Sequence, residues 1–276
     1  MITKIFQLLI FCTVACQCNA QIFTGNGGGR SAGLGNASSN LNDGYALYNN
    51  QAGIAYVNQV TAWIFSERKF FETNLSLHGA GMLIPTNSGT FGFQVNYFGY
   101  ELFNQKKIGL AYGRKFSNAV SGGLQIEYLG TSIFETGNAN SITFEAGVQV
   151  KVLSQLNFAA HVFNPMRLKT GFDLNETIPT VFTAGFKYQP SNKLLLVADV
   201  EKDIDYKPCL KTGIEYCPVN KLILRAGIHS QPFQSCFGLG LNLDDLKIDL
   251  AASYHATLGY TPTLSVCYSF GKKKSD

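Results

Sequence analysis

Residues Ile142–Val152 read ITFEAGVQVKV, and they alternate without a break. Ile142, Phe144, Ala146, Val148 and Val150 fall on one side; Thr143, Glu145, Gly147, Gln149 and Lys151 fall on the other, because successive strand side chains point opposite ways. Lys193–Glu201 repeats the pattern, with Leu194, Leu196, Ala198 and Val200 opposing Asp199 and Glu201. Lys247–His255 repeats it again, with Ile248, Leu250, Ala252 and Tyr254 opposing Lys247, Asp249 and His255. A strand with one wholly apolar and one charged face suits a barrel that meets lipid outside and polar groups inside.

Working outward, we count fourteen such segments from the first at 59–66, through 71–84 and 141–152, to the last at 262–270. Each runs about ten residues, the length a tilted transmembrane strand requires. In the first segment Trp63 and Phe65 obscure which face is polar. Short turns are expected at 85–88, 116–118, 153–155, 190–192, 218–219 and 244–245. Longer loops are expected between them, at 67–70, 100–105, 131–140, 165–179, 202–207, 230–232 and 256–261. The reading is an all-β fold, a fourteen-stranded antiparallel transmembrane barrel with both termini on the short-turn, periplasmic side. The last strand ends on an outward aromatic, Phe270, as C-terminal strands of such barrels do. A soluble propeller would show a repeat at a fixed period, and none is present.

Composition agrees. Hydrophobic residues make up 46% and charged residues 14%, below the roughly 25% of ordinary soluble domains. The net charge of +4 is small, and Lys272–Lys274 supply three of those charges. No basic patch interleaved with aromatics points to nucleic acid. Residues 1–20 read as a secretory signal, with Lys4, the apolar run Ile5–Ala15 and a small-residue cleavage site at Cys18–Ala20. The expected organisation is signal peptide 1–20, N-terminal plug 21–58, barrel 59–271 and basic tail 272–276, in the cell outer membrane.

The plug reading comes from Gly27–Tyr56, GGGRSAGLGNASSNLNDGYALYNNQAGIAY, which is rich in small residues and carries only Arg30 and Asp43 as charges. It lacks strand alternation and has too little apolar periodicity for a helix that stands alone in water, though a short helix is expected near Tyr45–Tyr48. Inward positions of the strands hold many glycines, among them Gly113, Gly123, Gly147, Gly213, Gly227 and Gly238. Glycine in a strand often marks close approach of another backbone. Inward Leu195, Val197 and Ile223 offer packing for Leu34, Leu41 or Ile54.

The expected inward charges are Lys107, Glu127, Glu145, Lys151, Lys187, Asp199, Glu201, Lys211, Glu215, Arg225, Lys247 and Asp249. Acids and bases balance, which suits mutually satisfying cross-strand pairs better than an ion-selective pore. All four histidines, His78, His161, His229 and His255, are expected inward, without metal-ligand spacing and away from the lipid face where a Ser–His pair would meet phospholipid. No enzyme, cofactor or metal is expected. Gly33-x-Gly35 lacks the preceding strand and third glycine of a dinucleotide loop. Cys209, Cys217, Cys236 and Cys267 remain after the signal and are expected as free, inward thiols. Cys209 and Cys217 share a strand, roughly 27 Å apart at normal rise. Their distance from the other two strands exceeds the reach of a disulfide.

Two runs, Gly29-Arg30-Ser31-Ala32-Gly33-Leu34-Gly35-Asn36-Ala37 and Tyr45-Ala46-Leu47-Tyr48-Asn49-Asn50-Gln51-Ala52-Gly53-Ile54-Ala55, resemble the plug motifs "GR-x-AG-x-G-x-A" and "YNPAGLA" of the PorV/PorQ family. These are outer-membrane proteins of Bacteroidota, related more distantly to FadL-type fatty-acid transporters. Gln51 stands where the family has Pro. The resemblance implies a FadL-like barrel and a plug motif at Gly29, Arg30, Gly33, Gly35, Asn36, Tyr48, Asn50, Gln51 and Gly53. It also implies docking of outer-membrane or secretion-complex proteins, as in type IX secretion. The alternative is FadL-like passage of small hydrophobic molecules. Outer-membrane lipid is the other expected partner, and the sequence leaves the oligomeric state open.

Overall fold

The computed structural model describes residues 27–169 and 177–271. The signal and tail expected at 1–20 and 272–276 lie outside them. Fourteen antiparallel strands form one closed barrel: β1 Val60–Arg68, β2 Ser76–Pro85, β3 Thr90–Gly99, β4 Phe103–Lys115, β5 Val120–Ile133, β6 Gly137–Leu153 and β7 Leu156–Phe163, followed by β8 Val181–Ser191, β9 Leu194–Asp203, β10 Cys209–Val219, β11 Leu222–Ser230, β12 Phe233–Leu243, β13 Leu246–His255 and β14 Gly259–Phe270. Each strand pairs with its sequence neighbours, and β1 closes on β14 from Val60↔Phe270 to Glu67↔Thr263. Closure leaves no edge strand and satisfies the ladder internally, the condition for a sheet in hydrocarbon.

The outward side chains make that condition necessary. Leu110, Ile126, Ile142, Phe237 and Leu250 are all more than half exposed. Aromatics gather toward both ends of this apolar wall. Phe91, Tyr112, Tyr268 and Phe270 lie near the end where β1 begins and β14 stops, here the termini end; Tyr97, Tyr128, Tyr254 and Tyr260 lie near the other, loop end. An apolar band between aromatic girdles is the exterior of a membrane-spanning barrel.

The strand count matches the sequence reading, but the loop lengths correct it. The connection expected at 100–105 narrows to 100–102, that at 131–140 to 134–136, and that at 230–232 to 231–232. β5 and β6 prolong their pairing to Ile133↔Gly137. Asn138 and Asn140, which look like loop residues, pair here with Ser132 and Gly130. The expected contrast between short turns and long loops therefore survives chiefly at 69–75 and 164–180. The second strand starts at Ser76 rather than 71, because Lys69–Phe71 and Thr73–Leu75 form 3-10 turns in which Phe70 and Phe71 take positive φ.

All four described cysteines are free, and Cys209, Cys236 and Cys267 are buried inward. Alkylation of the unreduced, denatured barrel should add one adduct to each; mass spectrometry showing fewer would contradict this register.

Candidate functional site

The lumen is the candidate site, and residues 27–56 fill it. Two short helices, α1 Gly29–Gly33 and α2 Ala46–Asn49, are followed by a 3-10 helix at Gln51–Tyr56. α2 sits where the short helix was expected near Tyr45–Tyr48. Leu34, Leu47, Ala52 and Ile54 are fully buried, although these elements are too short to be stable alone. The barrel holds them through close approach. A Cβ at Gly227 would lie 2.3 Å from Gly35 N, and one at Gly123 2.4 Å from the Gln51 carbonyl carbon. Gly213 faces the Leu34 backbone, Gly238 faces Gly33 and Gly147 faces the Asn50 amide. Leu195 and Val197 pack on Leu34, Ala37 and Leu41. Ile223 instead lines the cavity at the termini end.

Charge fixes the orientation of the segment. Arg30 donates to both carboxylate oxygens of Glu215, at 2.9 and 2.8 Å, and to Asp43 at 2.9 Å. Arg225 donates to Glu215 at 2.7 Å and to Asp249 at 2.6 Å. The chain Asp43–Arg30–Glu215–Arg225–Asp249 thus ties α1 to β10, β11 and β13. Burial would lower the Arg30 pKa, but Glu215 and Asp43 outweigh it and raise it, so the guanidinium stays charged. Asp43 also accepts from Tyr45 N at the entry to α2.

A second group lies across the lumen. Lys107 bridges Glu127 at 2.8 Å and Glu145 at 2.9 Å, and His161 reaches Glu145 at 3.0 Å. Gln51 donates its side-chain amide to Glu145 and to the Leu47 carbonyl, which a proline at this position could not do. Asp199 accepts from the Ser38 and Ser39 amides, at 2.8 and 2.9 Å, and from Ser39 Oγ at 2.7 Å. Lys211 pairs with Glu201 at 2.6 Å. Lys151, Lys187 and Lys247 face the same lumen but join no ion pair among the described residues. Of the motif residues, Gly29 N donates to Ser265 Oγ and Tyr48 Oη to Asn96 Oδ1. Asn50 caps the 3-10 helix through Ala52 N, and Gly53 stands beside the Leu41 carbonyl oxygen. Asn36 takes a left-handed conformation with φ 61°, one that asparagine tolerates.

The β1–β3 side of the lumen is different and was not foreseen. Trp63 and Phe65 point inward and meet Tyr45 and Tyr48 edge to face, with centroids 5.9 Å apart for Tyr45–Trp63 and 5.3 Å for Tyr48–Phe65. Leu77 and Phe98 continue the apolar column toward the loop end, where Leu75 and Phe103 pack on it. At the termini end it meets a cavity of about 340 Å³, bordered on one side by Tyr45, Thr61 and Cys267 and on the other by Arg30, Asp43, Glu215, Arg225 and Asp249.

This column corrects the histidine assignment. His161, His229 and His255 belong to the inward parity, but His78 is exposed on the outer face, directly across from Ser66. Apolar Leu77 and Leu83 take the inward positions of β2 because the lumen there is aromatic. Ser66 and His78 share no hydrogen bond, and no carboxylate orients the ring among the described residues.

No protein-family model matches the chain, and no curated protein matches it. Solved structures do match in fold. The toluene transporter TbuX of Ralstonia pickettii aligns with a TM-score of 0.71 at 11% identity, over 89% of this chain and 99% of that one. A Pseudomonas aeruginosa FadL homologue aligns at 0.66 and 13% identity, over 88% and 98%. The P. putida toluene transporter TodX aligns at 0.66 and 12%, over 90% and 99%. The protein therefore has the FadL-like barrel fold.

Proposed function

We propose that this protein is an outer-membrane channel that passes small apolar molecules, monoaromatic hydrocarbons in size and polarity, with its termini in the periplasm. The aromatic column carries the reading. It gives an apolar solute an aromatic and aliphatic lining from the loop end, beside Glu67, to the cavity at Tyr45, whose opposite wall is the Arg30–Glu215–Arg225–Asp249 network. Three of its large side chains, Tyr45, Leu47 and Tyr48, belong to the N-terminal segment, so a shift of α2 opens the path. The structural neighbours named toluene transporters support the same class of solute. The charge network on the opposite side then holds the rest of the segment in place.

Phe98→Gln puts an amide into the column near its loop end. It should lower uptake of radiolabelled toluene by intact cells roughly tenfold, given the cost of an unpaired amide in apolar surroundings, while the folded barrel persists on semi-native gels. Wild-type uptake no faster than in cells lacking the protein would refute transport. The runs at Gly29–Ala37 and Tyr45–Ala55 favour a second reading, PorV/PorQ-like docking of secreted proteins in type IX secretion. Recovery of secretion subunits from native membranes, without toluene uptake, would decide for it. The short connections at 100–102, 134–136 and 231–232 offer little surface for such cargo.

A further inference from the structure

The outer wall over β1–β4 and β14 carries a groove of about 570 Å³, within the roughly 300–1,000 Å³ range of small-molecule sites. Its floor is formed by the small outward side chains of Ala80 and Val95; Ile64, Ile108 and Leu264 border it. It exists because Ala80 and Val95 are small members of an outward surface that otherwise carries Met82, Ile84, Phe93 and Tyr97.

One side of the groove is polar. Ser66, His78, Tyr97 and Lys106 are successive cross-strand partners on β1, β2, β3 and β4, and all four line it. Direct partners stand about 4.5–5.5 Å apart at Cβ, so the four make one continuous strip. The strip lies toward the loop end of its strands, with Ile64, Ala80, Val95 and Ile108 on its apolar side and Arg68 and Asn104 beyond it toward the loops. Lys106 is exposed there and makes no ion pair among the described residues. Lys106 is the one cation that lines the groove, Arg68 standing beyond it on the outward row of β1; beside two hydroxyls and an imidazole it is complementary to one phosphate monoanion.

We infer that this groove is a binding site for one anionic glycerophospholipid, with an acyl chain along Ala80 and Val95 and the phosphodiester on Lys106, Tyr97 and His78. The single cation selects a singly charged headgroup over a multiply phosphorylated glycolipid. The inference does not rest on the transport reading, since the groove is on the outside of the wall.

Native mass spectrometry of the whole protein, released from phosphatidylcholine nanodiscs containing a trace of phosphatidylglycerol, tests it. One phosphatidylglycerol should remain bound. Lys106→Ala should weaken retention roughly tenfold, as expected for loss of a charge-assisted hydrogen bond. Ala80→Phe fills the groove and should abolish retention. Lys106 is a surface side chain without partners, so that variant stays informative even if Ala80→Phe does not fold. Diacylglycerol retained as well as phosphatidylglycerol would overturn the headgroup assignment. Preferential retention of lipid A would overturn the choice of lipid, and unchanged binding in both variants would overturn the site.

Discussion

A cysteine placed at Gly44 should oxidise spontaneously with Cys267 and shut the channel. The Cβ it would carry lies 3.4 Å from Cys267 Sγ, so a second sulfur needs little backbone movement to reach bonding distance. Gly44 precedes α2 and Cys267 lies on β14, so the bridge pins the segment that contributes Tyr45 and Tyr48 to the aromatic column. The experiment is cleanest with Cys209→Ser, Cys217→Ser and Cys236→Ser in the background, leaving Cys267 as the one native partner. The oxidised protein should be stabilised by about 3–5 kcal/mol, the usual yield of a long loop closed without strain. Toluene uptake should fall at least roughly tenfold and return when dithiothreitol is added, because the proposed path opens only when α2 moves. A bridge that forms without changing uptake would show that the segment is no gate. Failure of the thiols to pair would place Gly44 elsewhere.

The barrel was legible because most of its strands obey one rule, apolar outward and polar inward. Glu145, Asp199, Glu215 and Asp249 announce their side by charge alone, and the inward glycines announce the backbone lying against them. Where the rule inverts, reading from sequence fails. On β1 and β2 the inward residues are Trp63, Phe65, Leu77 and Leu83, so polarity assigns His78 to the wrong face and hides the Ser66–His78–Tyr97–Lys106 strip. The missing information is tertiary: those side chains turn inward because Tyr45 and Tyr48 arrive from the N-terminal segment. A signal was present in Tyr45-Ala46-Leu47-Tyr48, three large apolar groups in one short turn that need an apolar partner. Loop lengths failed for another reason. Asn138 and Asn140 have poor strand propensity, yet pairing with β5 overrides it.

The pairings that form the charge network were also beyond sequence reading, although its members were not. Balanced acids and bases predict that partners exist, but not that Arg30 would bridge Glu215 and Asp43 while Lys151 and Lys247 stay outside. That choice depends on where α1 lies across β10–β13, and the glycines of those strands set its position.

Gly227→Val should therefore unseat the N-terminal half of the segment. The added Cβ would fall 2.3 Å from Gly35 N and 2.4 Å from the Leu34 carbonyl carbon, and backbone atoms cannot swing aside as a side-chain end can. Overpacking commonly costs about 1–3 kcal/mol. Here relief requires α1 to lift from β11, which also pulls Arg30 from Glu215; separating a buried ion pair adds about 3–5 kcal/mol, less to the extent that Arg30 meets water. The expected result is a folded barrel with a loosened segment: trypsin cuts after Arg30, and planar-bilayer conductance rises well above wild type. The strand itself tolerates valine, so Ala226→Val, at the adjacent outward position, should leave both readouts unchanged. Protection of the Arg30 bond in Gly227→Val, with wild-type conductance, would mean that α1 does not rest on β11.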